Sequence, residues 1–437
     1  PSDESFAVLV DHWDTETLQQ FSDKVAQLAA KGKSFGLKIV GNISLAPVQI
    51  WSKQAQLQIT KIVEVKSAFE IQFHPKEGRL RLARLATPAR KTPIKIVLID
   101  DSKTIRSLLT QIFSGDPELQ VVGECADPRD ADQLIEKLRP DVVTLDIHMP
   151  EMDGVTLLKQ LLPKYKLPFV MVTAVSLEEG PLVLQALEVG AVDYVQKPAS
   201  IDIASVGQLI REKVKAAVLA QVHYRAPAQT PAQTVPSPRL GPLDTSRVVA
   251  IGSSTGGVEA LRQILTALPA EIPPILITQH IPALFSKSFA ERMNSLCAFP
   301  VSEAKDGDAV KPGHAYIAPG GLQMSVVKKG GQLIIAITDD PPVNRHKPSV
   351  DVLFQSVAAQ VGSRAIGVIL TGMGDDGARG LLKMREMGCL TLAQNEESCV
   401  VFGMPRAAIK LEAAQHVVGL DQIAGFLERT LQKSRTA

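Results

Sequence analysis

Short apolar runs separated by helix-length segments recur through two long stretches of this sequence, and that order leaves few folds open. Ile94–Ile99, Val121–Cys125, Val142–Leu145, Phe169–Thr173 and Val192–Gln196 form the first set. Val248–Ile251, Ile275–Gln279, His314–Ala318, Ala365–Leu370 and Leu390–Gln394 form the second. Runs this short and this uniformly apolar suit strands buried on both faces of a parallel sheet, with the intervening amphipathic segments as covering helices. The expected fold class is therefore α/β, with two doubly wound parallel-sheet domains.

Between the two sets Pro, Ala, Gln and Thr crowd from Tyr224 to Pro242 without an apolar period, which predicts an extended, semi-rigid linker. A shorter break falls at Thr87–Pro93. The expected domains are residues 1–88, 94–223 and 244–437, with the linker over 224–243; a chain of 437 residues is in any case too long for one ordinary domain. Residues 1–88 predict a helix at Thr15–Lys31 and β-leaning stretches at Ile59–Val65, Phe69–His74 and Leu80–Leu85, a small α+β accessory domain with no nucleophile–base pairing and no metal-ligand spacing.

The charge balance is 47 basic against 46 acidic side chains, a net charge of +1. Without a basic excess to displace counterions, nucleic acid is not an expected partner. No apolar run approaches the ~18 residues that cross a bilayer, so the chain is expected not to be membrane-inserted. The start Pro1-Ser2-Asp3-Glu4 has neither the basic nor the apolar region of a signal peptide, and a cytoplasmic location is expected. Cys125, Cys297, Cys389 and Cys399 are scattered with no Cys-x-x-Cys, which indicates neither a disulfide framework nor a structural zinc site.

Open α/β sheets place ligands at the carboxyl ends of their strands. In the first set those ends carry Asp100-Asp101, Asp146, Thr173 and Lys197-Pro198. Converging carboxylates repel unless a cation sits among them, and an all-oxygen site suits a partly hydrated Mg²⁺. A carboxylate can also attack phosphorus, with the metal and Lys197 neutralising the transferred group; Asp146, at a strand tip before Met149-Pro150, is the best placed nucleophile. Taken singly, Asp100-Asp101 could merely cap the following helix and Lys197 could be a solvated lysine. As a set, residues 94–215 resemble a response-regulator receiver domain, which is flavodoxin-like. The resemblance implies phosphorylation of Asp146 by a chemotaxis histidine kinase, Mg²⁺ held by Asp100, Asp101 and Asp146, and sensing of the phosphoryl group through Thr173, Tyr194 and Lys197.

In the second set the first strand leads into Gly252-Ser253-Ser254-Thr255-Gly256-Gly257 and then an amphipathic helix. The P-loop lysine and the dinucleotide glycine spacing are absent, whereas Gly252-x-Ser254-x-Gly256 matches a turn from which a serine protrudes. A serine needs a base, and His280 follows the next strand; a carboxylate to orient it is offered by Asp375 or Asp376 in Thr371-Gly-Met-Gly-Asp-Asp-Gly377. Serine, histidine and aspartate at three strand ends satisfy the roles of a hydrolytic triad.

These residues, with Thr278-Gln-His280, Pro312–Pro319, Asp351–Phe354 and Phe402-Gly-Met-Pro405, resemble the Rossmann-like effector domain of the chemotaxis protein-glutamate methylesterases. With the receiver and linker in front, the resemblance covers about residues 94–430. It implies Ser254 as nucleophile, His280 as general base and acid, Asp376 as the carboxylate behind it, and the Met373 backbone amide as an oxyanion donor, with that of His280 or Thr255 as its companion. It also implies methyl-accepting chemoreceptors as substrate, hydrolysis of γ-glutamyl methyl esters with glutamine deamidation beside it, activation by phosphorylation, and no cofactor for the esterase reaction. Asp375 stands where the family pattern has Asn; a second buried carboxylate would have to be paired or protonated, so Asp375 is expected in solvent. The basic loop Asn344-Arg345-His346 is expected to meet acidic receptor helices, and Cys399 to be a packed thiol. The alternative is a response regulator whose last domain binds a ligand or partner without hydrolysis, which would leave His280 and Asp376 without work.

Overall fold

A computed structural model of the chain describes residues 92–174, 179–197, 203–220 and 243–432, and the backbone of four strands nearer the N-terminus. Two compact units divide it, Pro1–Pro93 and Ile94–Ala437. In the first, β1 (Phe35–Ile39), β2 (Gln58–Ile59), β3 (Phe69–His74) and β4 (Arg79–Arg84) form one sheet in the order β1-β3-β4-β2. Two of its three expected β-leaning stretches are thus strands, and the third contributes only at its first residue. The expected helix Thr15–Lys31, Pro198 and residues 224–242 lie outside the described residues.

The second unit holds both parallel sheets. Strands β5 (Ile94–Ile99), β6 (Leu119–Cys125), β7 (Val142–Asp146), β8 (Phe169–Thr173) and β9 (Asp193–Gln196) pair in the order β6-β5-β7-β8-β9, all parallel. Helices α1 (Lys103–Ser114), α2 (Ala131–Leu138), α3 (Gly154–Tyr165), α4 (Gly180–Val189) and α5 (Ile203–Val218) connect and cover them. The order reverses beside β5, which opens a crevice at the carboxyl ends of β5 and β7. Every residue of β7 and β8 is buried, as the unbroken apolar runs require of strands covered on both faces.

The larger sheet is also all parallel. Its strands are β10 (Val248–Ser253), β11 (Ile275–Gln279), β12 (Val301–Glu303), β13 (Ala315–Ile317), β16 (Ala365–Ile369), β17 (Leu390–Gln394) and β18 (His416–Val418), in the order β12-β13-β11-β10-β16-β17-β18. A separate antiparallel hairpin joins β14 (Gln323–Lys329) and β15 (Gln332–Thr338). The accompanying helices are α6 (Gly257–Ala267), α7 (Ala283–Leu296), α8 (Val350–Val361), α9 (Ala378–Glu386), α10 (Met404–Lys410) and α11 (Leu420–Leu431). The first strand of this domain, β10, lies in the middle with β11 and β16 as neighbours, so the ends of these three strands meet at the switch point of the sheet. No helix among the described residues is long and apolar enough to cross a membrane.

Candidate active site

Ser254 follows β10 at the start of a tight turn whose glycines answer to specific neighbours. A Cβ on Gly252 would lie 2.1 Å from Val350 Cγ1, and Gly256 has φ +78° with Val400 against it. Both positions therefore demand glycine, the first for space and the second for the left-handed backbone. The Ser254 N–H donates to Thr371 O at 3.0 Å, and Gln279 Nε2 donates to Ser254 O at 2.9 Å and to His280 O at 3.1 Å. Gly372 leaves the other side of the serine open to close packing, since a Cβ there would come within 2.7 Å of Ser254 Cβ.

His280 follows β11, and its N–H donates to Ser253 O at 3.0 Å. Its Nε2 lies 2.9 Å from Asp376 Oδ2, while Nδ1 is buried with no hydrogen-bond partner among the described residues. Asp376, in the loop between β16 and α9, is 1% exposed and sits at the N-terminus of α8. Its carboxylate accepts from Ser349 Oγ at 2.7 Å, Val350 N–H at 2.7 Å and Asn344 Nδ2 at 2.9 Å in addition to the imidazole. Burial by itself would raise its pKa, but the hydrogen bond and charge of His280 and the bonds from Asn344 and Ser349 outweigh it and hold the group at about 2. The side chain is thus a fixed anion behind the imidazole. Asp375 is exposed.

The oxyanion donors narrow. The amide of His280 is committed to Ser253 O, which removes it as the companion of Met373. Among the described residues neither the Met373 nor the Thr255 N–H is taken up by a protein acceptor. Cys399 is buried, and burial pushes its thiol up to about 12, as suits a packed residue.

The loop Asn344-Arg345-His346, expected to meet acidic receptor helices, borders the cleft and also makes contacts within the site. Asn344 and Arg345 are both exposed; the Asn344 amide nevertheless reaches Asp376, His346 stacks on His280 with ring centroids 3.7 Å apart, and Arg345 Nη1 lies 3.2 Å from Glu212 of α5. A tight reversal of the backbone brings the Asn344 amide and the His346 ring to Asp376 and His280.

At the receiver crevice Asp100 and Asp146 are each 1% exposed, Asp101 is exposed, and one carboxylate oxygen of each lies within 4.8 Å of the others. Lys197 Nζ donates to Asp146 Oδ2 at 2.7 Å and stands 3.3 Å from Asp100 Oδ2, which is buried without a hydrogen-bond donor. Burial first, and the neighbouring carboxylate second, raise the pKa of Asp100; burial raises that of Asp146. Hard carboxylate oxygens from Asp100, Asp101 and Asp146, one of them buried without a hydrogen bond, fit a divalent cation. Ser102, not the aspartate pair, caps α1, accepting from Ile105 N–H. The Thr173 hydroxyl lies between Ala174 O and the Glu179 carboxylate, which His148 also approaches at 3.2 Å.

The β9–α5 side of the smaller sheet and the Ser254 side of the larger sheet face a common interface. Tyr194 is buried, its hydroxyl has no partner among the described residues, and its ring meets Phe285 of α7 edge-on at 5.4 Å. Thr255, next to the serine, donates its hydroxyl to Asp193 Oδ2, whose other oxygen takes Lys213 Nζ at 2.9 Å. Gly180 of α4 rests on Ser288 of α7, and Arg292 pairs with Glu188 at 3.0 Å. A cleft of about 910 Å³ runs between these surfaces, lined by Ser254, His280, Met373 and Glu397 on one side and by Tyr194, Leu209 and Glu212 on the other. The sequence does not point to the roles of Gln279, Ser349, Asp351 or Asp193, nor to the hydroxyl contact of Thr255. The first three lie within or beside quoted motifs, but their roles depend on partners from distant strands.

Residues 249–427 match the family model described as CheB methylesterase, and residues 96–204 match that of the response regulator receiver domain. The chain is 47% identical over 338 residues to a protein-glutamate methylesterase/protein-glutamine glutaminase of Vibrio vulnificus, covering 76% of this chain and 97% of that protein. It is 48% identical over 345 residues to a protein of the same name from Xanthomonas campestris pv. campestris, covering 76% and 96%. The crystal structure of the Thermotoga maritima CheB methylesterase catalytic domain is similar at 38% identity and a TM-score of 0.41, covering 42% of this chain and 98% of that one.

Proposed function

We propose a function from one premise: the chain belongs to the protein-glutamate methylesterase/protein-glutamine glutaminase family. It is a carboxylic ester hydrolase of chemotaxis that removes methyl groups from γ-glutamyl esters on chemoreceptors, and phosphorylation of its receiver domain activates it. In this reading residues 94–223 are the receiver, 244–437 the esterase and 1–88 an accessory domain.

The assignment of residues rests chiefly on the 2.9 Å contact between His280 Nε2 and Asp376 Oδ2 at the strand ends that flank Ser254. With Nε2–H donated to Asp376, the buried Nδ1 is the nitrogen left to act as base. Ser254 Oγ attacks the ester carbonyl as its proton passes to Nδ1. The Met373 N–H, with that of Thr255, takes up charge on the carbonyl oxygen. Nδ1–H then protonates the departing methoxide, and a water deprotonated by the same nitrogen cleaves the acyl-enzyme to glutamate. A glutamine side chain follows the same course with ammonia as leaving group. A fluorophosphonate should therefore label Ser254, read by peptide mass; label on any other residue would contradict the assignment.

In the receiver, Asp146 is the phosphoryl acceptor. Mg²⁺ held by Asp100, Asp101 and Asp146 would offset the charge of the incoming group. Lys197 already pairs with Asp146 and would pair with the phosphoryl oxygens in turn. Thr173 and Tyr194 report its presence, Thr173 by leaving Glu179 and Tyr194 by shifting at the interface. A chemotaxis histidine kinase is the phosphodonor in this reading, and the work is cytoplasmic. Asp146→Asn should yield methanol release that no longer rises with a small-molecule phosphodonor; a retained rise would place the phosphoryl group elsewhere.

The docked receiver restrains the esterase through the hydroxyl–carboxylate bond of Thr255 and Asp193. A hydrogen bond to a charged group contributes ~1.5–3 kcal/mol, so its loss should move the docked equilibrium by about tenfold or more. Asp193→Ala should raise phosphodonor-independent methanol release about tenfold. An unchanged basal rate would show that this bond does not restrain the enzyme.

A further inference from the structure

We propose that the tight turn Val343–His346 is a positioning element of the hydrolytic site, in which Asn344 holds Asp376 and His346 holds His280. The inference rests on the Ser254–His280–Asp376 reading and gives these two residues work that is not substrate binding.

The turn is a two-residue reversal. The Val343 N–H donates to His346 O at 3.1 Å and the His346 N–H to Val343 O at 2.9 Å, while Asn344 and Arg345 take φ of +51° and +70°. Positive φ at both central positions is the geometry of a type I′ turn, which Asn tolerates better than most side chains. The turn is tied from below by Gln323, 2% exposed, whose Nε2 donates to Pro341 O and His346 O at 3.2 Å each and whose Oε1 accepts the Ser349 N–H at 2.8 Å. One buried amide thus fixes both the turn and the residue that precedes α8.

From this anchored turn the Asn344 amide divides its two N–H groups between two buried carboxylates, Asp351 Oδ2 at 2.6 Å and Asp376 Oδ1 at 2.9 Å. Asp351, 2% exposed, is held in turn by the Gly380 N–H at 2.6 Å. Two carboxylates buried side by side repel, and a shared amide donor is what keeps both in place with Asp376 ionised. On the opposite side of the turn, His346 lies flat on His280 with an interplanar angle of 8°. The stack limits rotation of the catalytic ring about its side-chain bond, so that Nε2 stays on Asp376. Burial, and then the neighbouring His280, push the His346 imidazole down to about 3. It therefore stacks as a neutral ring and adds no charge against the imidazolium that forms during turnover.

The test is steady-state methyl ester hydrolysis by the full chain carrying Asn344→Gly, His346→Ala or His346→Phe, with thermal unfolding as a check on folding and Ser254→Ala in the same assay. Glycine suits the left-handed position and removes only the amide, whereas phenylalanine restores a flat ring without its nitrogens. Asn344→Gly and His346→Ala should each lower kcat roughly ten- to a hundredfold with KM within about twofold, and His346→Phe should recover most of the loss. Wild-type kcat in Asn344→Gly, a raised KM at unchanged kcat, or a His346→Phe enzyme as slow as His346→Ala would overturn the proposal. If Ser254→Ala is inactive while these variants match the wild type, only the positioning role falls. If Ser254→Ala keeps full activity, the triad reading falls with it.

Discussion

Ser254→Ala is expected to abolish methanol release, with kcat falling roughly ten-thousandfold or more while receptor membranes are still bound. The substitution removes one oxygen and little else. The turn keeps its shape because Gly252 and Gly256 set it, and Gln279 grips the backbone carbonyl of Ser254, not its hydroxyl. His280, Asp376 and the Met373 amide stay in place, so the residual rate measures what base and oxyanion site do without a nucleophile. Measuring methanol and receptor binding on the same preparation separates lost chemistry from lost structure. A variant that still releases methanol at a tenth of the wild-type rate would mean that another group attacks the ester.

Asp376→Asn should cost almost as much, about a thousand- to ten-thousandfold in kcat, for a different reason. In the proposed mechanism the carboxylate, 2.9 Å from His280 Nε2, holds the proton on that nitrogen and leaves the unpartnered Nδ1 as the base. An asparagine turned to donate its amide to Nε2 would drive the proton onto Nδ1, where the ring could no longer take one from Ser254. The Ser349 hydroxyl and the Val350 amide, both 2.7 Å from the present carboxylate, would meanwhile face a neutral group. Stability should change less than activity, because the replacement is close to isosteric. Comparing kcat with the unfolding midpoint tests this, and a variant that unfolds before it loses activity would contradict it.

Much of this site could be read from the chain because of how parallel sheets are built. A strand buried on both faces is an unbroken apolar run, so Ile94–Ile99, Phe169–Thr173, Ile275–Gln279 and Leu390–Gln394 were bounded correctly, and whatever follows such a run lies at the ligand end. That rule located Asp146, Lys197, Ser254 and His280. It was silent where strands are short and at the edge: β12 and β18 have three residues each, too few to show a period. The β14–β15 hairpin has a local signal, the pair Gly330-Gly331 between two β-forming runs. The contacts of Asn344 and His346 with Asp376 and His280 are not legible in the sequence, because their turn lacks the usual glycine and their partners lie at distant strand ends. The bond between Thr255 and Asp193 spans 62 residues and two sheets, and no local pattern encodes such a pairing.

The central claim is that one chain couples phosphorylation of Asp146 to ester hydrolysis at Ser254. The most direct measurement is methanol release from methylated chemoreceptor membranes by the purified protein, with and without a small-molecule phosphodonor and Mg²⁺. Release that rises with the phosphodonor, does not respond to it in Asp146→Asn and is absent in Ser254→Ala is the predicted result. No release from methylated receptors, although the phosphodonor labels Asp146, would contradict it.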